Sequence, residues 1–126
     1  MPVLGLGMDV CSIERIRRIL AGPHARRFVE RVYTGPEQAQ CDARADAAAS
    51  YAARFAAKEA LVKALGAPPG IRWRDMEVTR GEGTPAFKLC GVAHSEVARR
   101  NANVLLALTH DAGVAAATVI IQGNER

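Results

Sequence analysis

The chain has 126 residues, of which 49% are hydrophobic and 24% charged, a composition typical of an ordinary soluble globular protein with one domain, residues 1–126. No apolar run approaches the ~20 residues that a membrane span requires, and the N-terminus lacks the pattern of a signal peptide. The net charge is +4, and the three cysteines are odd in number and far apart, so we expect a cytoplasmic protein with no membrane association.

The first predicted element is a strand over residues 3–11, in which two kinds of side chain alternate. One face carries Leu4, Leu6, Met8 and Val10, and the other carries Gly5, Gly7 and Asp9. Ser12 is a suitable N-cap for a helix that starts at Ile13 and ends near Gly22-Pro23.

Further helices are predicted in the middle of the chain. A basic helical segment covers residues 24–32, and a short helix restarts at Thr34. A long alanine-rich helix runs from about 44 to 65, and Gly66 follows it as a C-terminal cap. Three widely spaced cysteines without a CxxC pair predict reduced, mostly buried thiols rather than disulfides or zinc ligands.

The last part of the chain is predicted to contain two hairpins separated by a helix. The segments are strands at 75–80 and 85–90, a helix at 91–102, and strands at 104–110 and 114–122. Because helices and strands are largely segregated along the chain, the expected class is α+β, with a long central helix and an antiparallel sheet.

The positive charge is concentrated in residues 12–31, where six arginines stand against two glutamates and the rest of the chain is neutral. Such a cluster is either a solvated helix face or a docking patch for an acidic partner. Nucleic acid is the weaker of the two acidic partners, because aromatic residues are scarce at 5% and no nucleic-acid-binding motif is present. If the cluster is a docking patch, an acidic protein is the favoured partner.

Two charged residues of the long helix, Glu59 and Lys63, are four positions apart and share one face. They form either a surface pair or part of a polar site. The surrounding alanines favour a polar site, because small side chains let a ligand or another backbone approach the helix. The glycines of the predicted strand leave similar free space beside Asp9. Two carboxylates suit magnesium, and Lys63 could neutralise phosphate. The spacing leaves open whether Asp9 and Glu59 meet.

Three segments carry a resemblance to a known family: GLGMDVCSIERI, FAAKEALVKALG and LTHDAGVAAATVII. Their order and spacing resemble the signature of holo-acyl-carrier-protein synthases, the short phosphopantetheinyl transferases of fatty-acid synthesis. Gly83-Thr84-Pro85 is similar to the Gly-x-Pro turn of that family, and the resemblance covers essentially the whole chain.

The resemblance implies an enzyme that transfers 4′-phosphopantetheine from coenzyme A to a serine of apo acyl carrier protein and releases adenosine 3′,5′-bisphosphate. It implies a small α+β fold that forms a homotrimer with shared active sites. Asp9 and Glu59 match the magnesium ligands, and Lys63 matches the lysine on the pyrophosphate; these three are the expected catalytic residues. Either Glu59 or a water molecule bound next to it is expected to accept the serine proton, with Lys58 as a supporting residue.

The resemblance also implies two sets of binding residues. The coenzyme A set is Arg54, Lys63, Gly66, Thr84, Pro85, Thr109 and His110. The set that receives the acyl carrier protein is Arg15, Arg27, Phe28 and Arg31.

The chain departs from the family pattern at two places. Residues 66–70 read Gly-Ala-Pro-Pro-Gly where the family usually has Gly-Thr-Gly, and Ala107 replaces a serine. Neither change touches Asp9, Glu59 or Lys63, so activity is expected. Two alternatives stay open: a magnesium-dependent enzyme acting on another phosphate ester, and a basic nucleic-acid-binding module without catalysis.

Overall fold

The computed structural model describes residues 1–81 and 83–124 and has the predicted α+β architecture. The elements in chain order are β1 (Val3–Ser12), α1 (Ile13–Ala21), α2 (Ala25–Val32), α3 (Gly35–Asp42), α4 (Ala47–Ala64), a 3-10 turn (Trp73–Asp75), β2 (Met76–Thr79), β3 (Ala86–Leu89), α5 (Gly91–Arg99), β4 (Ala102–Asp111) and β5 (Val114–Gly123). Within the described residues, no helix is both long enough and apolar enough to cross a membrane.

The core lies between α4 and one face of an antiparallel sheet with the strand order β1-β5-β4. Alternate residues of β5 face the helix and are buried: Ala115, Ala117, Val119 and Ile121. The opposite face of the sheet is open and apolar, with Leu4, Leu6, Met8, Val10 and Leu105 exposed. β2 and β3 form a separate two-stranded sheet.

The glycine face of β1 is the one that packs on α4. A Cβ atom on Gly7 would overlap the carbonyl oxygen of Ala60, and one on Gly5 would overlap the carbonyl oxygen of Ala64. The helix backbone therefore lies directly against the strand, which only glycine permits. This contact brings Asp9, at the end of the glycine series, close to the polar face of α4.

Replacing Gly7 by alanine should destabilise the protein, because the new methyl group meets helix backbone that cannot rotate away. We expect a loss of about 1–3 kcal/mol, as for other overpacked sites, measured by urea denaturation. Gly35→Ala is the matched control, since a Cβ there meets no atom within 4 Å. Equal stability of the two variants would contradict the close approach of β1 and α4.

Local signals explain most helix ends. Ser12 Oγ accepts a hydrogen bond from the backbone N–H of Arg15 at 3.1 Å and caps α1 as predicted. Gly66 follows α4 with φ +79°, the left-handed conformation expected of a C-terminal glycine. The start of α4 differs from the prediction of residue 44: the Asp46 side chain accepts from the backbone N–H of Ala49, so the helix begins at Ala47.

Helix α4 is buried on nearly all sides and includes a charged residue in the core. Lys58 is fully buried and donates to Oε1 of Glu37 at 2.7 Å and to the carbonyl of Trp73 at 3.0 Å. Burial lowers the pKa of Lys58, and the Glu37 carboxylate opposes this effect. Glu37 also accepts from the backbone N–H of Val78 at 3.0 Å, so the pair ties α3, α4 and β2 together.

Candidate active site

The predicted catalytic residues meet where β1 crosses α4. Lys63 Nζ donates to Oδ1 of Asp9 at 2.8 Å and to the carbonyl oxygen of Met8 at 3.2 Å. Glu59 lies one helical turn before Lys63, close enough to Asp9 for the two charges to interact. Asp9 and Glu59 thus lie near each other at the contact between β1 and α4, and their joint role as metal ligands stays a prediction.

Lys63 does not bond to Glu59, the partner that helical spacing suggests. Its ammonium group is bound by Asp9, which lies far away in sequence on β1. The Asp9 side chain is only 17% exposed, whereas that of Lys63 is 54% exposed. Lys63 can thus reach a ligand from solvent, while Asp9 stays fixed at the base of the site.

The electrostatics of this cluster suit a bound cation. Burial and the nearby Asp9 carboxylate raise the pKa of Glu59, and Lys63 partly offsets this effect. The hydrogen bond to Asp9 is the main cause that raises the pKa of Lys63, followed by the charge of the same carboxylate. Two carboxylates beside one ammonium group leave the cluster with one net negative charge when all three groups are ionised, which a bound cation would offset.

The donor set fits magnesium. Asp9 and Glu59 provide two carboxylates, the hard oxygen ligands that magnesium prefers, and both remain partly accessible. Among the described residues, no group of three or more His, Cys, Asp and Glu side chains forms a site that a protein alone could close around a metal. Magnesium usually completes its coordination with water and substrate phosphates.

A second cluster lies at the other end of α4, around a cavity of about 280 Å³. Four basic residues line it: Arg44, Arg54, Arg80 and His110. Asp46 is the acidic residue in the lining. A cavity with this excess of cationic groups is suited to an anion such as a phosphate.

Arg54 is held rigidly in the wall of this cavity. It is 1% exposed, and its guanidinium donates to Ser50 Oγ at 2.6 Å and to Gln40 Oε1 at 2.7 Å. Its Nε is buried and has no hydrogen-bond partner among the described residues. A buried donor left without a partner is costly, so Arg54 sits in this wall with one unsatisfied N–H.

The remaining residues predicted to bind coenzyme A are more dispersed. His110 faces the helix side of the sheet and lines the cavity, whereas Thr109, its neighbour on β4, lies on the open face. Thr84 and Pro85 lie between β2 and β3 and do not line this cavity. Gly66 lies at the end of α4, three residues after Lys63.

The two clusters lie on different sides of α4 within one chain. Arg54 and Glu59 are five residues apart, which places them about 140° apart around the helix axis. Among the described residues, no hydrogen bond or ion pair links Arg54 or His110 to Asp9, Glu59 or Lys63. One chain thus presents a carboxylate site and a basic cavity separately.

The residues predicted to receive the carrier protein lie on α1 and α2. Arg15, Arg27 and Arg31 are exposed. Phe28 is half-buried, with its ring centroid 5.8 Å from that of Tyr33 and 6.1 Å from that of Phe55. The three arginines are thus available to a partner, and Phe28 also supports the packing of α2.

Two groups of residues escaped the sequence analysis. Arg44 and Arg80 line the basic cavity, but they are isolated arginines in the sequence and carry no local signal. Glu37, the buried partner of Lys58, could have been suspected, because Thr34 and Glu37 form a capping box that positions the Glu37 carboxylate.

The three cysteine thiols are free, with Cys11 and Cys41 buried, as predicted for most of them, and Cys90 exposed.

Comparison with known proteins identifies the class. The family model described as the 4′-phosphopantetheinyl transferase superfamily matches residues 5–117, so the chain belongs to this family. A Myxococcus xanthus protein named holo-[acyl-carrier-protein] synthase is 64% identical over 124 residues, which is 98% of each chain. The predicted enzyme class, a 4′-phosphopantetheinyl transferase of the holo-acyl-carrier-protein synthase type, is confirmed.

Solved structures agree with the fold. The chain matches Helicobacter pylori holo-[acyl-carrier-protein] synthase, solved in complex with coenzyme A, with a TM-score of 0.78, 27% identity and coverage of 93% of this chain and 99% of the other. The holo-ACP synthase of Plasmodium yoelii gives a TM-score of 0.83 at 23% identity, covering 98% of both chains, and supports the fold alone.

Proposed function

We propose that the chain transfers the 4′-phosphopantetheine group of coenzyme A to a serine hydroxyl of apo acyl carrier protein in the cytoplasm, for fatty-acid biosynthesis. The observation that carries this proposal is the meeting of Asp9, Glu59 and Lys63 at the contact between β1 and α4. These residues are the ones that the sequence resemblance assigns to the family motifs, and the relative from Helicobacter pylori was solved with coenzyme A.

The residues of the site have separate roles in this reaction. The serine oxygen attacks the phosphorus that carries pantetheine, the bond to the adenosine 3′,5′-bisphosphate leaving group breaks, and Glu59 or an adjacent water molecule accepts the serine proton. Lys63 neutralises the charge that develops on the leaving phosphate. A magnesium ion held by Asp9 and Glu59 supplies further charge neutralisation and orientation of the pyrophosphate when it is bound.

We propose further that each active site is shared between neighbouring copies in a homotrimer. The basic cavity with Arg54 and His110 suits the phosphates at the nucleotide end of coenzyme A, but it lies on the other side of α4 from Glu59. The exposed apolar face of β1 and β4 offers a surface for such an assembly, because large exposed apolar patches mark interaction sites. Sedimentation velocity is expected to give the mass of an assembly of three chains.

Subunit mixing tests whether the site is shared. Glu59→Ala and His110→Ala chains should each be nearly inactive. Mixed trimers should regain activity, because an intact Glu59 from one copy then meets an intact His110 from another. The chains are unfolded and refolded together, and the activity is compared with that of each variant treated alone. A mixture no more active than its components would place both residues in a site formed by one chain.

The docking role of α1 and α2 predicts a selective kinetic change. Arg15→Glu or Arg27→Glu should raise the KM for the carrier protein about tenfold while leaving the KM for coenzyme A nearly unchanged, because only the carrier contacts this surface. Added salt should weaken carrier binding more in the native protein than in these variants. A carrier KM that is insensitive to both substitutions would make the cluster a solvated surface.

One incubation tests the function itself. The purified protein is mixed with coenzyme A, magnesium and apo acyl carrier protein, and the carrier is analysed by intact mass. A gain equal to one phosphopantetheine group supports the proposal. An unmodified carrier with another phosphate ester consumed would favour the first alternative. Tight binding of nucleic acid with no turnover would favour the second.

A further inference from the structure

An open pocket of about 450 Å³ lies between the end of α2 and the 3-10 turn. Six residues line it: Glu30, Arg31, Ile71, Arg72, Trp73 and Arg74. The pocket belongs to neither of the two clusters described above. The fold thus brings Arg72 and Arg74, which are distant in sequence, beside the basic segment 12–31.

The pocket carries an uncompensated positive charge. Arg31, Arg72 and Arg74 are all exposed. Within residues 1–81 and 83–124, none of their three guanidinium groups forms an ion pair with a carboxylate. Three like charges around one pocket repel each other, so an anionic partner that enters between them is favoured.

The carboxylates next to these arginines are already engaged. Glu30 accepts a hydrogen bond from Nε of Arg26 at 3.0 Å. Asp75 accepts from the backbone N–H of Arg72 at 3.2 Å and from the thiol of Cys90 at 3.6 Å. Asp75 accepts only from neutral donors and keeps its own charge, but the lining itself holds three arginines against Glu30, which pairs with Arg26, so the pocket is positive overall and an anionic partner would offset this charge.

The floor of the pocket is held in place by aromatic packing. The ring of Trp73 stacks on Phe55 with centroids 5.2 Å apart, and Phe55 in turn contacts Phe28 of α2. The carbonyl of Trp73 is fixed by the buried ammonium group of Lys58. A floor that is already ordered reduces the entropy that binding would cost.

The pocket also adjoins the candidate active site. Ile71 and Trp73, which line it, also line a neighbouring groove of about 250 Å³ together with Glu59, Val62 and Met76. The basic pocket and the groove beside Glu59 therefore share one wall. A partner bound in the pocket would therefore place its own neighbouring residues in the groove beside Glu59.

We propose that the pocket formed by Arg31, Arg72 and Arg74 receives an acidic segment of the carrier protein, next to the serine that is modified. This inference rests on the proposed function and extends the docking surface from α1 and α2 onto residues 71–74. Arginine is suited to the role because its planar guanidinium binds carboxylates through two parallel hydrogen bonds. A protein is favoured over a nucleic acid because the pocket continues the α2 surface and ends at Glu59.

The test compares the charge reversals Arg72→Glu and Arg74→Glu with Lys88→Glu. Lys88 is exposed on β3 and does not line the pocket, so its substitution changes the net charge equally at another surface. We expect each arginine variant to raise the KM for the carrier protein about tenfold and the Lys88 variant less than twofold. The KM for coenzyme A and the thermal midpoint should stay close to native values in all three.

A second readout does not require turnover. Binding of fluorescently labelled apo carrier protein is measured without coenzyme A, and the dissociation constant should rise in parallel with the KM. Selected Asp→Lys or Glu→Lys substitutions in the carrier should restore binding to Arg74→Glu, as expected for a direct charge pair.

Several results would overturn the inference. One is a carrier KM and dissociation constant equal to those of the Lys88 control. Another is a rise in the KM for coenzyme A, which would assign the pocket to the nucleotide. A third is RNA that displaces the carrier from the native protein but binds weakly to the arginine variants. If the native protein modifies its carrier and the arginine variants behave like the Lys88 control, only this inference is wrong. If the native protein neither binds nor modifies the carrier, the proposed function is wrong as well.

Discussion

Turnover is expected to fall ~100-fold or more when Asp9 or Glu59 is replaced by alanine, because each substitution removes one of the two carboxylates proposed to hold magnesium. The fold should survive, since both side chains lie at an accessible site. The double variant should be scarcely worse than either single variant, as expected for groups that act as one unit. The measurement is kcat with saturating coenzyme A and carrier over a magnesium titration.

Asp9→Asn and Glu59→Gln are the matched variants for this prediction. They keep the shape of the side chain and remove its charge, so they should lose nearly as much activity as the alanine variants. Magnesium should raise the thermal midpoint of the native protein and not that of the four variants, because a ligand stabilises only a protein that binds it. Near-normal turnover of either alanine variant at ordinary magnesium would remove that residue from the site.

Lys63→Met should lower kcat by ~10²–10³-fold if the ammonium group neutralises the leaving phosphate, by analogy with the loss of one donor from a preorganised anion site. The structure offers a competing role, because Lys63 is bound to Asp9. If that ion pair is its only role, kcat should stay normal and only the thermal midpoint should change. Both quantities are therefore measured at saturating coenzyme A and magnesium.

Lys63→Arg separates charge from geometry. It keeps the positive charge but replaces the compact ammonium group, which bonds to Asp9 and Met8, with a planar guanidinium group. We expect it to recover only part of the rate. A full rate in Lys63→Met would assign Lys63 to structure alone, and a full rate in Lys63→Arg would show that charge suffices without a compact group.

The fold class and the order of elements were predictable because their signals are local. Ser12, Thr34 and Gly66 mark helix ends through contacts within a few residues. The alternation in residues 3–11 and the turn around Gly113 are likewise properties of neighbouring residues. The start of α4 was misplaced because Asp46, rather than the helical propensity of the preceding residues, decides where the helix begins.

Asp9, Glu59 and Lys63 were singled out from the sequence, because glycines and alanines leave these charges in small surroundings and because they match motif positions of the family that the chain resembles; their catalytic roles stay a prediction. Which of them pair was decided only by the tertiary structure: Lys63 binds Asp9 on a distant strand rather than Glu59 one turn away. Helical periodicity describes neighbours on one element and carries no information about what packs across it.

Other features likewise depend on long-range packing. Lys58 is buried against Glu37, and the burial of β1 through its glycine face follows from the close contact with α4. The grouping of Arg72 and Arg74 beside Arg31 likewise arises from how distant segments fold together. The sequence alone determined the order of the elements and singled out the candidate catalytic side chains. The tertiary structure decided their partners, because contacts between elements depend on how whole surfaces fit.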